Sequence, residues 1–417
     1  MLQNCMNKLM IHPRTMAAEV IELSRSFPCV LVTGARQVGK STLLRSLMAE
    51  EMRYISLDDY RLAREAKNDP IGFLEMYDVP LCIDEVQYAP ELLRAIKLRV
   101  DAEPGRKGMY WLTGAQRFHL MHGVSESLAG RIGILDLYSF SQAEMVGRAE
   151  YAQTFSCEPA AMRDAENRGL ICNITELYER IWLGGYPARV CDPSTRAEPF
   201  FNAYLQTYLE RDVQALQQVG DRGAFLALMK SAAARTGQQL VYSDIARDAD
   251  VSVNTAKKWI SILETSGIIH LLQPYHTNTS KRLTKRPKLY FMDTGFCAWM
   301  GGWSSPEVLM NGALSGAILE TWVYGQLYRS FVNRGMMPRL SYFRNSNGAE
   351  VDFLIEKDGC IYPLEVKRSS SPALSDLKGV QSIPPGKAEI KPGVVLCTAT
   401  ELLPLGKGNV AFPISAL

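Results

Sequence analysis

The octapeptide Gly34-Ala35-Arg36-Gln37-Val38-Gly39-Lys40-Ser41 constrains this chain more than any other stretch. It follows the apolar run Cys29-Val30-Leu31-Val32-Thr33, which reads as a strand, and it precedes a helix-like stretch from Thr42 to Ala49. A glycine loop between a buried strand and a helix start is a phosphate cradle. Gly34 and Gly39 let backbone N–H groups turn inward around oxygens, and the helix presents its positive end to the same anion. Ala35, Arg36, Gln37 and Val38 then form the loop, Lys40 reaches the β- and γ-phosphates, Ser41 ligates Mg²⁺, and Thr42 beside it is a further candidate for binding the nucleotide. The competing reading is an ordinary Gly-rich turn, which these flanks disfavour. The motif implies a nucleoside triphosphate and an α/β core.

The downstream strands fit that core. Arg53-Tyr54-Ile55-Ser56-Leu57 reads as a second strand, closed by Asp58-Asp59. Pro80-Leu81-Cys82-Ile83 is an apolar strand ending in Asp84-Glu85, the Walker B pattern. There the Asp holds the water shell of Mg²⁺ beside the loop Ser, and the Glu polarises an attacking water. Acid pairs at strand ends are common, and the spacing of one β-α unit from Lys40 is what gives this one weight. A helix from Glu91 to Asp101 places Leu92, Leu93, Ile96 and Val100 on one stripe. Strand Met109 to Thr113 follows, then Gly114-Ala115-Gln116; Thr113 and Gln116 are candidate sensors of the γ-phosphate, or else strand caps. Arg131, just before strand Ile132 to Leu135, is a candidate arginine finger. Its bland alternative is a helix-end Arg paired with a local acid.

LVTGARQVGKSTLL, YISLDD, CIDEVQYAPELL, WLTGAQ, SLAGR, GGYPARV and YLERDV, in that order, resemble a group of bacterial and archaeal AAA+ ATPases. In that group a C-terminal domain of unassigned function follows the ATPase. The likeness covers nearly the whole chain. It implies an AAA+ P-loop core over residues 1–150, a helical lid over 151–222, and ATP rather than GTP. The absence of an N-K-x-D guanine-reading motif agrees. Ala115 departs from the small hydroxyl residue expected there, which leaves the sensor open between Thr113 and Gln116. Gly184-Gly185-Tyr186-Pro187 resembles the lid motif near the adenine base, with a helix-to-helix turn as the alternative.

Residues 223–280 resemble a winged helix-turn-helix. A short helix around Tyr242 to Ala246 and a tight turn precede a second helix, capped by Ser252, with Ala256, Ile260 and Leu263 on one face. Asn254, Lys257 and Lys258 lie on the other face, as a candidate DNA contact or a protein-docking surface. The clearest basic patch is Lys281-Arg282-Leu283-Thr284-Lys285-Arg286-Pro287-Lys288.

Residues 281–417 carry a second constellation. Helix Ser315 to Phe331 bears Glu320. Strand Leu340 to Arg344 turns at Asn347-Gly348 into Glu350 to Ile355, which turns at Asp358-Gly359 into Ile361 to Lys367, both with tight-hairpin chemistry. Asp352 with Glu365-Val366-Lys367 resembles the PD-(D/E)XK nuclease core, a mixed α/β fold. That likeness implies a second metal site at Asp352 and Glu365, approached by Glu320 and Lys367. The alternative is a salt-bridge network.

A net charge of +2 means that any nucleic-acid contact must be local. Nine scattered cysteines without metal spacing read as reduced thiols. The start lacks a signal-peptide core and no long apolar run occurs, so the expectation is a soluble, cytoplasmic, non-membrane protein. The leading reading is a Mg²⁺-dependent ATPase controlling a DNA-contacting, nuclease-like module, with homo-oligomerisation left open. The other reading is a slow or inert nucleotide-gated switch that docks a protein partner without cleaving nucleic acid. A nucleoside kinase is disfavoured, because Walker B and a sensor strand stand where its acceptor pocket should be.

Overall fold

The computed structural model describes residues 12–115, 124, 127–169, 172–209, 221–276 and 286–417. Its first sheet has five parallel strands: β1 (Cys29–Thr33), β2 (Arg53–Ser56), β3 (Leu81–Asp84), β4 (Tyr110–Gly114) and β5 (Ile132–Asp136). Their order is β2-β3-β4-β1-β5. All five residues of β1 are buried, as a parallel strand covered on both faces must be. Val30 and Val32 join one apolar core, while Cys29 and Leu31 join another on the opposite face. That is the alternation of side chains along a strand. Because all strands run one way, the turns after β1, β3 and β4 emerge at the same edge. The phosphate loop, Asp84-Glu85 and Thr113 are therefore brought together by topology. This is the P-loop NTPase core expected from the sequence.

Helices between Pro159 and Tyr208 follow. Helix Ile174–Leu183 begins at a capping box in which Asn173 and Glu176 satisfy each other's backbone N–H groups. Its buried face, Leu177, Tyr178 and Ile181, joins the core that holds Val30 and Val32. Two further helices, Tyr242–Asp248 and Val253–Thr265, are joined by a short turn, and Ser252 caps the second by accepting from Thr255 N at 3.0 Å. Ala256, Trp259, Ile260 and Leu263 are buried, while Asn254, Lys257 and Lys258 are exposed. A small antiparallel sheet stands behind them: β6 (Gln238–Gln239), β7 (Ile269–Leu272) and β8 (Lys288–Phe291), in the order β6-β8-β7.

The C-terminal sheet is mixed. It contains β9 (Leu340–Arg344), β10 (Glu350–Lys357), β11 (Cys360–Val366), β12 (Glu389–Ile390), β13 (Val394–Cys397), β14 (Leu403–Gly406) and β15 (Asn409–Pro413). Strands β9, β10 and β11 form an antiparallel meander, whereas β13 and β15 run parallel to β11. Asp358 and Gly359 both have positive φ, at 51° and 75°, giving the two-residue turn expected there. The other turn is longer than expected. Arg344 pairs with Glu350, so residues 345–349 form a five-residue loop, held by Asn345 Oδ1, which accepts from the N–H groups of Asn347 and Ala349 at 2.9 Å. The long helix Ser315–Val332 is buried along most of its length against this sheet and the helices before it.

Among the described residues no helix is long and apolar enough to cross a membrane. The described cysteines are all unpaired, with burial pushing thiols such as Cys29 and Cys82 up to about 12.

Candidate functional site

The phosphate loop has the backbone its glycines promised. Gly34 has φ 142°, and a Cβ there would lie 2.1 Å from the Leu137 carbonyl oxygen, so no other residue fits. Gly39 has φ 95° and opens helix Lys40–Leu47. Lys40 is 6% exposed, and its Nζ donates to the Gly34 and Ala35 carbonyl oxygens at 3.1 and 2.8 Å. Phosphate oxygens are charged acceptors, stronger than these two carbonyls, so a polyphosphate in the loop would compete for the same ammonium.

Asp84 is the hub of the site. It is 4% exposed at the end of β3. Its Oδ1 accepts from Ser41 Oγ at 2.7 Å and from Thr113 Oγ1, while Oδ2 accepts from Tyr54 OH at 2.8 Å. Thr113 Oγ1 also accepts from the Glu85 backbone N–H at 3.0 Å, so one hydroxyl ties both acids to β4. Burial, then the Asp84 carboxylate, hold the Tyr54 phenol well above its ordinary range. Glu85 itself sits in the left-handed region at φ 57°, a costly place for a side-chain-bearing residue, and Gln87 Nε2 donates to its Oε2. The oxygen set of Ser41 and Asp84 suits Mg²⁺, which prefers few protein oxygens beside substrate phosphates.

The structure brings Lys40, Ser41, Asp84, Glu85 and Thr113 into one site along with the loop residues 34–39; Thr42 is exposed on the helix behind it. Gln116 lies outside the described residues. Arg131 is not brought there. It precedes β5, level with Pro28 at the start of β1, and it forks onto Asp101, with Nε at 2.5 Å and Nη2 at 3.1 Å from the two carboxylate oxygens. The loop lies at the other end of the same strands, roughly 16 Å away along five residues. Within one chain, this geometry matches the local ion pair.

Tyr54, Gln87 and Arg14 were not singled out in the sequence. Tyr54 had a weak signal, as a polar ring in a strand beside Walker B. Arg14 had none, because it precedes β1 and its contacts lie 24, 124 and 130 residues away.

Gly184-Gly185-Tyr186-Pro187 does reach the loop region. Tyr186 shares a crevice with Ala35, Val38, Gly267, Ile268, Met292, Asp293 and Phe296. Gly185 N donates to Asp293 Oδ2 at 2.8 Å, and Gly185 O accepts from Phe140 N at 2.8 Å.

The C-terminal constellation is assembled differently from the expectation. Glu320, Asp352, Glu365 and Lys367 are neighbours, but Lys288 of β8 stands among them. Its Nζ lies 2.9 Å from Glu320, 2.5 Å from Glu350 and 3.7 Å from Asp352, with its side chain 3% exposed. Lys288 therefore leaves the basic surface patch to which the sequence assigned it. Burial alone would lower its pKa, and the three carboxylates overturn that and hold it well above the usual range. Burial and then Asp352 raise Glu320 to about 7, and the same causes raise Glu365 to about 8. Lys367 pairs with Glu365 at 3.1 Å. A bulge in β10 between Val351 and Leu354 turns Asp352 so that its Oδ2 accepts from Val366 N at 2.9 Å. The described residues hold no group of three or more His, Cys, Asp or Glu side chains arranged for a metal. Lysines stand among the acids that the sequence offered to one. Of the patch, Lys281, Arg282 and Lys285 lie outside the described residues.

Comparison with known proteins adds three family matches. Residues 26–146 match an AAA domain, 174–307 a domain of unknown function (DUF8612), and 315–417 another domain of unknown function (DUF4143). Uncharacterized protein Rv2008c of Mycobacterium tuberculosis is 28% identical over 374 residues, covering 88% of this chain and 76% of the relative. Uncharacterized protein Mb2031c of Mycobacterium bovis matches to the same extent. Among solved structures, the Walker-type ATPase PABY2304 of Pyrococcus abyssi is 15% identical over 70% of this chain and 99% of that one, with a TM-score of 0.44. A single-substitution variant of RuvB from Thermotoga maritima is 15% identical over 61% and 86%, with a TM-score of 0.28. The AAA match lies over the five-stranded sheet, which is the AAA-type P-loop domain of the chain.

Proposed function

We propose that this chain is a Mg²⁺-dependent ATPase whose nucleotide state controls the segments that follow the core, read as a helical lid, a winged helix and a PD-(D/E)XK-like domain. The observation that carries the reading is the Asp84 hub, which links the phosphate-loop Ser41 to Thr113 and, through it, to Glu85. Lys40 and the loop N–H groups bind the phosphates. Ser41 and Asp84 would hold Mg²⁺, which supplies charge neutralisation at the phosphate oxygens. Glu85 accepts the proton of the attacking water, and Thr113 fixes the backbone that aims it. In a steady-state assay, Lys40→Ala should weaken both binding and turnover. Glu85→Gln should keep ATP binding and lower turnover by roughly 10²–10⁴. Wild-type turnover in Glu85→Gln would remove Glu85 from the mechanism.

The second reading, a nucleotide-gated module that docks a partner without cutting nucleic acid, is favoured at the C-terminal end by one observation. Lys288 is centred among Glu320, Glu350 and Asp352, of which the sequence offered Asp352 and Glu320 to a metal. Titrating Mn²⁺ into the full chain, with Asp352→Ala as control, separates the two. An Asp352-dependent signal followed by nucleic-acid cleavage that needs Lys367 supports the nuclease reading; no signal at millimolar Mn²⁺ leaves a salt-bridged recognition domain.

A further inference from the structure

Arg14 lies before the AAA-matched segment, yet its guanidinium is built into the phosphate loop. Its side chain is 6% exposed. Nη1 donates to the Val38 carbonyl at 2.7 Å, Nη2 to the Tyr138 carbonyl at 2.7 Å, and Nε to Glu144 Oε1 at 3.1 Å. Its Cζ lies over the Phe140 ring, 4.7 Å from the centroid. Glu144 is fully buried and is itself oriented by two backbone donors, Thr15 N and Ser141 N, each at 2.8 Å. Glu144 thus anchors the fork of Arg14, and the fork spans from the end of β5 to the loop.

The peptide between Val38 and Gly39 is planar, so its carbonyl and its N–H point in opposite directions. With the Val38 oxygen fixed toward Arg14, the Gly39 N–H is sent away from Arg14, to the side on which such a loop cradles phosphate. Without that fixed carbonyl, a peptide flanked by Gly39 is free to rotate, and the N–H would have to be ordered at the moment of binding. We infer that Arg14 is a positioning residue for nucleotide binding, which preorganises the Gly39 N–H through the Val38 carbonyl. The inference rests on the nucleotide-binding reading above.

Because the donor it sets serves phosphates shared by ATP and ADP, the loss should fall on binding and leave the chemical step. Arg14→Lys keeps a positive charge opposite Glu144 but cannot span Val38 and Tyr138 together. It should raise KM for ATP and Kd for ADP by about tenfold, with kcat retained. Arg14→Met combined with Glu144→Gln leaves no buried charge unpaired and should show the same split, which guards against a folding artefact. Val20→Ala, in the neighbouring helix Ala17–Ser26, should lower the melting temperature without moving KM. If Arg14→Lys lowers the melting temperature but leaves KM and the ADP Kd at wild-type values, Arg14 is only a structural clamp and the inference fails. If Lys40→Ala also leaves nucleotide binding intact, the nucleotide reading itself has failed instead.

Discussion

Thr113 uses one hydroxyl to serve two acids. It donates to Asp84 and accepts from the Glu85 backbone, so replacing it by the near-isosteric Val removes a donor and an acceptor at once. Thr113→Val should leave a buried carboxylate short of a partner, costing about 1–3 kcal/mol of stability. Turnover should fall at least tenfold while ATP affinity changes little, since Lys40 and the loop are untouched. Equal losses in affinity and turnover would mean that the variant has disturbed the loop rather than Glu85. Arg131 should behave in the opposite way. Its pair with Asp101 is about one-third exposed at the far edge of the sheet, so Arg131→Ala should cost under about 1 kcal/mol and leave ATP turnover unchanged. A large fall in turnover at constant stability would restore the arginine-finger role, and mixing it with a Lys40→Ala partner would show whether another copy supplies it.

At the scale of elements, helix Val253–Thr265 separates cleanly into a buried and an exposed face. Lys258 is exposed, while Lys257 reaches the Tyr242 ring with its Nζ 5.7 Å from the centroid. Lys257→Ala with Lys258→Ala should therefore leave the melting temperature nearly unchanged. If this helix contacts DNA, the double variant should weaken binding and lower the salt slope by roughly one to two units. Unchanged DNA affinity at low salt would assign the face to a protein partner. Helices and strands such as these were legible because their signals are local: apolar spacing, a Ser cap, an Asp-Gly turn. The same holds for the loop, where Gly34, Gly39, Lys40 and Ser41 lie within eight residues. The carboxylate centre was only half legible. Glu320, Asp352 and Glu365 could be paired from the order of helix and hairpin, and Lys367 lies two residues from Glu365, but the cation beside Glu320 and Asp352 arrives on β8 from another sheet, and no spacing rule points from Lys288 to Glu350. The bulge at Asp352 and the longer loop at 345–349 were hidden for a related reason, since both are set by strand register rather than by turn residues.

For the whole molecule, the question is how a phosphate loop could be felt by a sheet that begins three hundred residues later. The route with atomic support runs through the crossing of Gly184-Gly185 with Asp293-Thr294-Gly295. Asp293 accepts from Gly185 N and from Phe296 N, and Gly185 O holds Phe140 just beyond β5. The same segments face Ala35 and Val38 across one crevice. The crossing is so close that a Cβ on Gly295 would lie 2.6 Å from the Leu183 carbonyl oxygen and 2.8 Å from Gly184 Cα, both backbone atoms that cannot swing aside. Gly295→Ala should therefore push the two segments apart, with a stability loss of about 1–3 kcal/mol. Its effect on communication is read by amide hydrogen exchange with and without a slowly hydrolysed ATP analogue. In the wild type, the analogue should slow exchange in the loop and also in residues 184–187 and 292–297. In Gly295→Ala the loop should still be protected, because Lys40, Ser41 and Asp84 are unchanged, while protection at 292–297 should be lost. Protection confined to the loop and the ends of β3 and β4 in the wild type would show that this crossing is a static joint, and that nucleotide state does not travel through it.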